Sequence, residues 1–156
     1  YPSCKACRKN NYQNSLSNGF ITDMTYLISR KRNKYFRIHE SGDFYDKEYI
    51  RKWYVIIKAS PDKVFYAYTK RDDLFTKAFL RNKPSNLELI YSIDGIETNT
   101  GKGVYDQWIR KGFDKVAIVH GTKSNCKALN SPHIKCVKDC KKCFKGNSKL
   151  TIFKKH

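Results

Sequence analysis

The fold is decided by a stretch that reads Tyr35-Phe36-Arg37-Ile38-His39-Glu40-Ser41-Gly42-Asp43. Its first four residues are aromatic, β-branched or long, which is typical of a short strand. The polar residues and the glycine that follow are typical of a turn. We therefore predict a strand that ends near Ile38, followed by a polar loop that leads into a helix.

A helix is predicted on the amino-terminal side of this stretch. Apolar residues recur at helical spacing over residues 20–28, and Ser17 or Asn18 is a suitable N-cap. A basic segment, Arg30 to Lys34, follows at the helix end, where cations interact favourably with the helix dipole. The chain thus enters the strand through a strongly cationic connection.

Further helices and strands alternate along the rest of the chain. Residues 49–57 carry an apolar helical stripe, and residues 74–79 carry a shorter one. The predicted N-caps of these two helices are Asp43 or Asp46 for the first and Asp72 or Asp73 for the second. The other predicted elements are strands at 64–68, 87–93, 115–119 and 150–153 and a helix at 105–110.

This alternation predicts an α/β fold with a mostly parallel sheet of four to five strands. Right-handed crossovers would place flanking helices over the sheet, in a partial-barrel-like arrangement. The 156 residues are enough for a single domain, 1–156, that buries a core of its own. Within it, residues 126–143 are predicted to form a C-terminal Cys-rich metal-binding loop.

Polar side chains follow the predicted strands at their carboxyl ends, where parallel sheets bind ligands. The candidate catalytic residues are His39, Asp43, Lys70, Asp94 and His120. The candidates for cofactor binding are Ser41, Gly42 and Arg71. Asp43 or His39 would be the base, and Lys70 with Arg71 would bind phosphate. The structural alternative is that Asp43 caps a helix, Gly42 serves the turn and His39 is a buried imidazole.

Four of the six cysteines cluster late in the chain, at Cys126, Cys136, Cys140 and Cys143. Clusters of this kind are typical of metal sites, whereas disulfides usually join distant segments. Four thiolates can bind Zn²⁺ or hold an iron–sulfur cluster such as 4Fe–4S, and we predict one of these two cofactors. The alternative is free cysteines or a single disulfide. Cys4 and Cys7 form a separate C-x2-C pair, which is a weak signal.

The chain is strongly basic, with 32 Lys and Arg against 14 Asp and Glu and a formal net charge of +18. A field of this size favours polyanions and predicts nucleic acid, DNA or RNA, as a partner, with compositional bias as the alternative. We find neither an apolar run of membrane-span length nor a signal peptide, so an intracellular location without a membrane partner is expected. The first residue is Tyr1, not Met, which is typical of a trimmed chain or a fragment.

The sequence resembles the phage gene-product-88 domain family. The similar parts are residues 35–45, Glu48-Tyr49, Lys52-Trp53, residues 65–70, the run from Cys136 to Phe144 and residues 153–156. The resemblance implies a phage or plasmid protein that acts in the cytoplasm of a bacterial host. It also implies a partial barrel similar to that of radical-SAM enzymes, which hold a cluster through the same C-x3-C-x2-C spacing. The resemblance also implies further cysteines just upstream of the segment that begins at Tyr1.

Three functions remain open at this stage. The first is a metal-containing enzyme of a mobile element that acts on nucleic acid or a nucleotide. The second is a non-catalytic module that binds nucleic acid through its basic surface and uses zinc only for stability. The third is a phage protein that binds a host protein.

Overall fold

Helices and strands alternate along the described part of the chain, as predicted. The computed structural model describes residues 2–40, 42–94, 102–121, 133–134 and 150–154, with side-chain surroundings for 5–40, 42–93 and 106–118. Helices α1 to α5 span Pro2–Leu16, Phe20–Ser29, Lys47–Lys58, Lys77–Arg81 and Lys102–Lys111. Strands β1 to β6 span Tyr35–Arg37, Val64–Thr69, Leu87–Asp94, Lys115–Gly121, His133–Ile134 and Leu150–Lys154.

The strands form one sheet in the order β1-β2-β3-β4-β6-β5, and every described strand pair is parallel. The predicted α/β class with a parallel sheet is therefore confirmed. The described residues contain six strands, where four to five were predicted, because the two-residue β5 gives no signal in the sequence. A helix lies between each pair of consecutive strands from β1 to β4, so this part of the sheet is built from successive βαβ units.

The core packs α2 and α3 against one face of the sheet. Phe65 is registered with Leu87 and Ala67 with Leu89, so these four side chains share a face, and all four are buried. The buried helical residues that join them in one apolar cluster are Phe20, Ile28, Tyr49, Ile50, Trp53, Tyr54, Ile56 and Ile57. Full burial of a large apolar side chain contributes about 1.5–3 kcal/mol, so α3 is the principal stabilising helix.

Three predicted helix starts need correction or refinement. Asp46, one of the two predicted caps of α3, accepts a hydrogen bond from the Tyr49 N–H at 2.7 Å. The helix after β2 begins at Lys77 with Thr76 as its cap, so the predicted cap at Asp72 or Asp73 is wrong. The Leu74 N–H is bonded to the Arg71 carbonyl, so the chain makes a turn there and starts the helix later. Helix α2 has Gly19 at its N-cap position and lacks a side-chain cap, so neither Ser17 nor Asn18 fills that role.

Helix α1 was not predicted from the sequence. This helix is mostly polar and has no continuous apolar stripe, and its side chains from Lys5 to Asn14 are exposed. Helices are found in sequences through an apolar stripe, and α1 has none. Its carboxyl-terminal end is attached to α3, where the Lys52 ammonium donates to the Ser15 carbonyl at 2.8 Å, and to the loop before α3, where the Tyr45 hydroxyl lies 2.8 Å from Ser15 Oγ.

Candidate functional site

The candidate residues after β1 and β2 lie at the carboxyl edge of the parallel sheet. His39 and Asp43 follow β1, whereas Lys70 and Arg71 follow β2. Asp94 is the last residue of β3, and His120 lies next to the end of β4, but their side-chain surroundings are outside the described residues. The positions of Ser41 and of Cys126, Cys136, Cys140 and Cys143 are also outside them.

Asp43 joins the loop after β1 to the end of β2. Its Oδ1 accepts hydrogen bonds from the Phe44 N–H at 2.7 Å and from the Thr69 hydroxyl at 2.6 Å. Its Oδ2 accepts from the Lys70 N–H at 2.7 Å. A carboxylate that accepts three hydrogen bonds is fixed in position. Asp43 is therefore arranged to organise this edge of the sheet.

The two basic residues after β2 have different surroundings. Both oxygens of Asp73 accept from the Arg71 guanidinium at 2.8 Å, and a third Arg71 nitrogen donates to the Phe44 carbonyl at 3.3 Å. The Lys70 side chain is exposed, and its ammonium makes no hydrogen bond or ion pair that we find in the described part of the chain. Lys70 is therefore better placed than Arg71 to bind an anion.

Gly42 occupies a backbone conformation that favours glycine. Its φ angle is +88°, in the left-handed region, while a Cβ at this position would meet nothing within 4 Å. The requirement for glycine is therefore conformational and not steric. This geometry agrees with the turn interpretation of Gly42, and it leaves open space beside the Asp43 backbone.

His39 is half-buried against aromatic rings. Its ring centroid lies 4.7 Å from that of Phe44, and its Nε2 is 3.3 Å from the Tyr49 hydroxyl. Its Nδ1 is buried and has no hydrogen-bond partner within the described residues. Burial lowers the pKa of His39 below its usual 6.5; Asp43 opposes this shift and Arg37 adds to it. The imidazole is therefore neutral at physiological pH and able to accept a proton.

This burial makes a prediction about stability and pH. The folded chain disfavours the imidazolium form, so the unfolded chain binds more protons as pH falls through about 6.5. We expect the free energy of unfolding to decrease as the pH falls from 6.5 toward the lower pKa of folded His39. In His39→Gln, this decrease should be smaller than in the parent chain. Urea unfolding at about pH 7.5 and about pH 5.5 measures the difference. An equal pH dependence in both proteins would contradict the prediction.

A groove of about 1430 Å³ lies between α1, α2 and the edge of the sheet at β1. Its lining includes Arg8 and Tyr12 of α1, Tyr26 of α2 and Arg37 of β1. His39, Gly42 and Asp43 also line it, so the groove reaches the carboxyl edge of the sheet. Tyr12 and Tyr26 are 47% and 60% exposed, which leaves their rings available to a ligand. The groove is the principal candidate site in the described part of the chain.

A basic patch borders this groove. It consists of Arg30, Lys31, Arg32, Lys34 and Arg37. All five side chains are exposed, and none forms an ion pair with a carboxylate in the described part of the chain. Two of the cations instead lie over aromatic rings: the Arg30 guanidinium is 5.9 Å from the Tyr26 ring, and that of Arg37 is 5.2 Å from the Tyr68 ring.

The groove walls on α1 and α2 were not predicted from the sequence. Arg8, Tyr12 and Tyr26 were not candidates because they lie far from the predicted strand ends. The eleven tyrosines of the chain are a signal that could have indicated contact surfaces, but their number does not show which of them are exposed. Within the described residues, no group of three or more His, Cys, Asp or Glu is arranged to hold a metal ion. None of the helices described is long and apolar enough to cross a bilayer.

Comparison with known proteins places this chain in a family. The sequence model of the family Gene product 88 matches residues 1–152, which is nearly the whole chain. The chain belongs to the Gene product 88 family. This confirms the family to which the sequence was found similar.

Two curated phage proteins are similar to this Gene product 88 chain. The Gene 88 protein of Mycobacterium phage L5 is 30% identical over 104 residues, which cover 66% of this chain and 43% of the phage protein. The Gene 88 protein of Mycobacterium phage D29 is 30% identical over 107 residues, which cover 65% and 44%. The match therefore spans less than half the length of each relative. No solved structure matches the chain significantly.

Proposed function

We propose that this Gene product 88 chain is a phage protein that binds nucleic acid through its basic patch. The observation that supports the proposal is the group of five exposed cations without a carboxylate partner in the described part of the chain. Other cations, such as Lys83 and Lys111, are instead paired with Asp114 and Asp72 at 3.1 Å. Unpaired Lys and Arg release counterions when they meet phosphates, which drives binding to nucleic acids.

The test is a charge-neutralised variant with a matched control. Arg30→Gln, Arg32→Gln and Lys34→Gln together should weaken binding to a labelled oligonucleotide by about ten- to a hundredfold at low salt. The plot of log affinity against log salt should lose about two to three units of slope, because each phosphate contact contributes about 0.7–0.9. Fluorescence anisotropy between about 50 and 200 mM salt measures both quantities.

The matched control removes the same charge from another part of the surface. Lys58, Lys77 and Arg81 are exposed and form no ion pair in the described residues. Their replacement by Gln should leave most of the affinity and slope intact. If the control triple variant weakens binding as much as the patch variant, the affinity depends on net charge alone, and the patch proposal fails.

The proposal includes an inorganic centre at Cys126, Cys136, Cys140 and Cys143. Its support is the donor set itself, because four thiolates complete a tetrahedral shell for zinc or hold a 4Fe–4S cluster. The centre would fold the late segment onto the sheet, since metal binding contributes directly to folding in such loops. The partial-barrel-like curvature of the sheet is proposed with it, on the basis of the successive βαβ units.

Metal analysis tests the centre. Freshly purified reduced protein should contain about one zinc ion or about four irons per chain. Cys136→Ser with Cys140→Ser should remove most of the metal, whereas Cys7→Ser should not, because Cys7 is an exposed residue of α1. A chain that contains neither zinc nor iron would end this part of the proposal.

A second candidate function is catalysis at the carboxyl edge of the sheet. The observation in its favour is the position of His39, which lines the groove beside Asp43 and whose buried Nδ1 has no hydrogen-bond partner within the described residues; burial also lowers its pKa. Because the Asp43 carboxylate already accepts three hydrogen bonds, His39 is the better base of the two. Lys70 would then bind a phosphate, and Asp94 and His120 would complete the site. Nuclease assays with His39→Gln and Lys70→Gln test this reading: turnover by the parent and not by His39→Gln is the expected result.

A further inference from the structure

The groove between α1 and α2 differs in chemistry from the basic patch beside it. Its exposed aromatic rings, Tyr12 and Tyr26, stand on two different helices. Exposed large apolar side chains are concentrated here: of the five in the described part of the chain, Tyr12, Tyr26 and Leu27 line the groove. An exposed aromatic surface next to a row of cations is the arrangement by which proteins bind unpaired nucleotides.

The charges inside the groove indicate where the bases and where the phosphates of a nucleic acid would bind. The exposed carboxylates of Asp23 and Glu40 line the groove together with the guanidinium groups of Arg8 and Arg37. With Asp43, which also lines the groove, the carboxylates outnumber the guanidinium groups, so the interior does not select for phosphate. The other four cations of the basic patch, Arg30, Lys31, Arg32 and Lys34, are not part of the groove lining and would bind phosphate. A nucleic acid would therefore place its backbone on the patch and its bases in the groove.

We propose that the groove binds single-stranded nucleic acid, with bases stacked on the rings of Tyr26 and Tyr12. This inference rests on the proposed function and names its substrate. The bases of a duplex are already stacked on each other, so they cannot enter the groove and stack on these rings. The unpaired bases of a single strand can enter the groove and stack on these rings. The amide side chains of Asn11 and Asn14, which also line the groove, can form hydrogen bonds with base edges.

Tyr26 is the residue that tests the inference with the least effect on folding. It is 60% exposed, and among the described contacts its ring meets only the Arg30 guanidinium. Tyr12, by contrast, packs edge-on against Tyr45 with centroids 5.1 Å apart, so its loss also loosens α1. Tyr26→Leu removes the aromatic face, while Tyr26→Phe keeps it and serves as the matched control.

The experiment compares a labelled single strand of about twelve nucleotides with its own duplex, a length within the site sizes of about 4–16 nucleotides of single-strand-binding folds. Using the 156-residue chain, we expect the single strand to bind more tightly. Tyr26→Leu should weaken single-strand binding by about tenfold, leave duplex binding unchanged, and keep the salt slope. Tyr26→Phe should bind like the parent.

The outcomes separate this inference from the proposed function. Equal affinity for single strand and duplex, with Tyr26→Leu binding like the parent, overturns the inference and leaves the basic patch as a general nucleic-acid site. A loss of single-strand affinity in Tyr26→Phe as large as in Tyr26→Leu also overturns the inference, because the aromatic ring alone is then not sufficient for binding. Failure of both oligonucleotides to bind at low salt overturns the proposed function together with the inference.

Discussion

Asp43→Ala is expected to lower the free energy of unfolding by about 3 kcal/mol. The reason is that three donors lose their acceptor at once: the Phe44 N–H, the Thr69 hydroxyl and the Lys70 N–H. Thr69 is only 1% exposed, so its hydroxyl cannot turn to water instead. Buried donors without a partner are costly, and hydrogen bonds to charged acceptors are the strong ones. Urea unfolding at neutral pH measures the loss.

Asp73 provides the matched control for this substitution. Its carboxylate is 59% exposed and pairs with the Arg71 guanidinium at the surface, so Asp73→Ala should destabilise the chain much less than Asp43→Ala. Asp43→Asn should fall between the two variants, because one oxygen remains and an amide group then faces a donor. If Asp43→Ala is as stable as the parent, the carboxylate does not organise the carboxyl edge of the sheet. That result would favour the predicted catalytic role of Asp43 over a structural one.

Phe75→Ala is expected to have the largest effect of any substitution considered, about 3–5 kcal/mol. The Phe75 ring is fully buried, with its centroid 5.2 Å from that of Phe44 and 6.0 Å from that of Phe113. It thus connects the loop after β1 with the segment before β4, and its loss leaves a cavity that neither side can fill. A domain of this size has about 5–15 kcal/mol of stability in total, so the variant should be close to unfolding.

Two further variants show whether the cost comes from the cavity. Phe75→Leu keeps most of the volume and should cost about 1–2 kcal/mol. Phe79→Ala should lower the free energy of unfolding by only about 1 kcal/mol, because Phe79 is only partly buried. Denaturant midpoints of the three proteins give this order directly. Similar midpoints for Phe75→Ala and Phe79→Ala would mean that the core does not depend on Phe75 in this way.

Five of the six described strands were predictable because each of them, unlike the two-residue β5, carries its own local signal. In β2, residues 64–69, half-buried and buried side chains alternate regularly, and turn residues lie on both sides. The structure of α1 was not predictable, since a helix without an apolar stripe has no periodicity to detect. The start of α4 was misplaced because Asp72 and Asp73 look like helix caps, whereas the chain turns there before Thr76 caps the helix.

The candidate site was predictable only in part, for a related reason. The carboxyl ends of parallel strands converge by geometry alone, so His39 and Asp43 could be placed near Lys70 without a structure. The acceptor role of Asp43 toward Thr69 could not be predicted, because it depends on how the loop after β1 folds back on β2. The groove is formed when α1 and α2 pack beside β1, and such non-local packing leaves no trace in local sequence patterns.

The position of β1 at one end of the sheet has a consequence for association between chains. An outermost strand offers unpaired N–H and C=O groups to any extended segment, and natural proteins discourage such pairing with short strands and charged side chains. β1 is three residues long, with Lys34 before it and Arg37 as its last residue. Repulsion between these cations would keep two copies from joining their sheets, so a polyanion that covers them also removes a barrier to self-assembly.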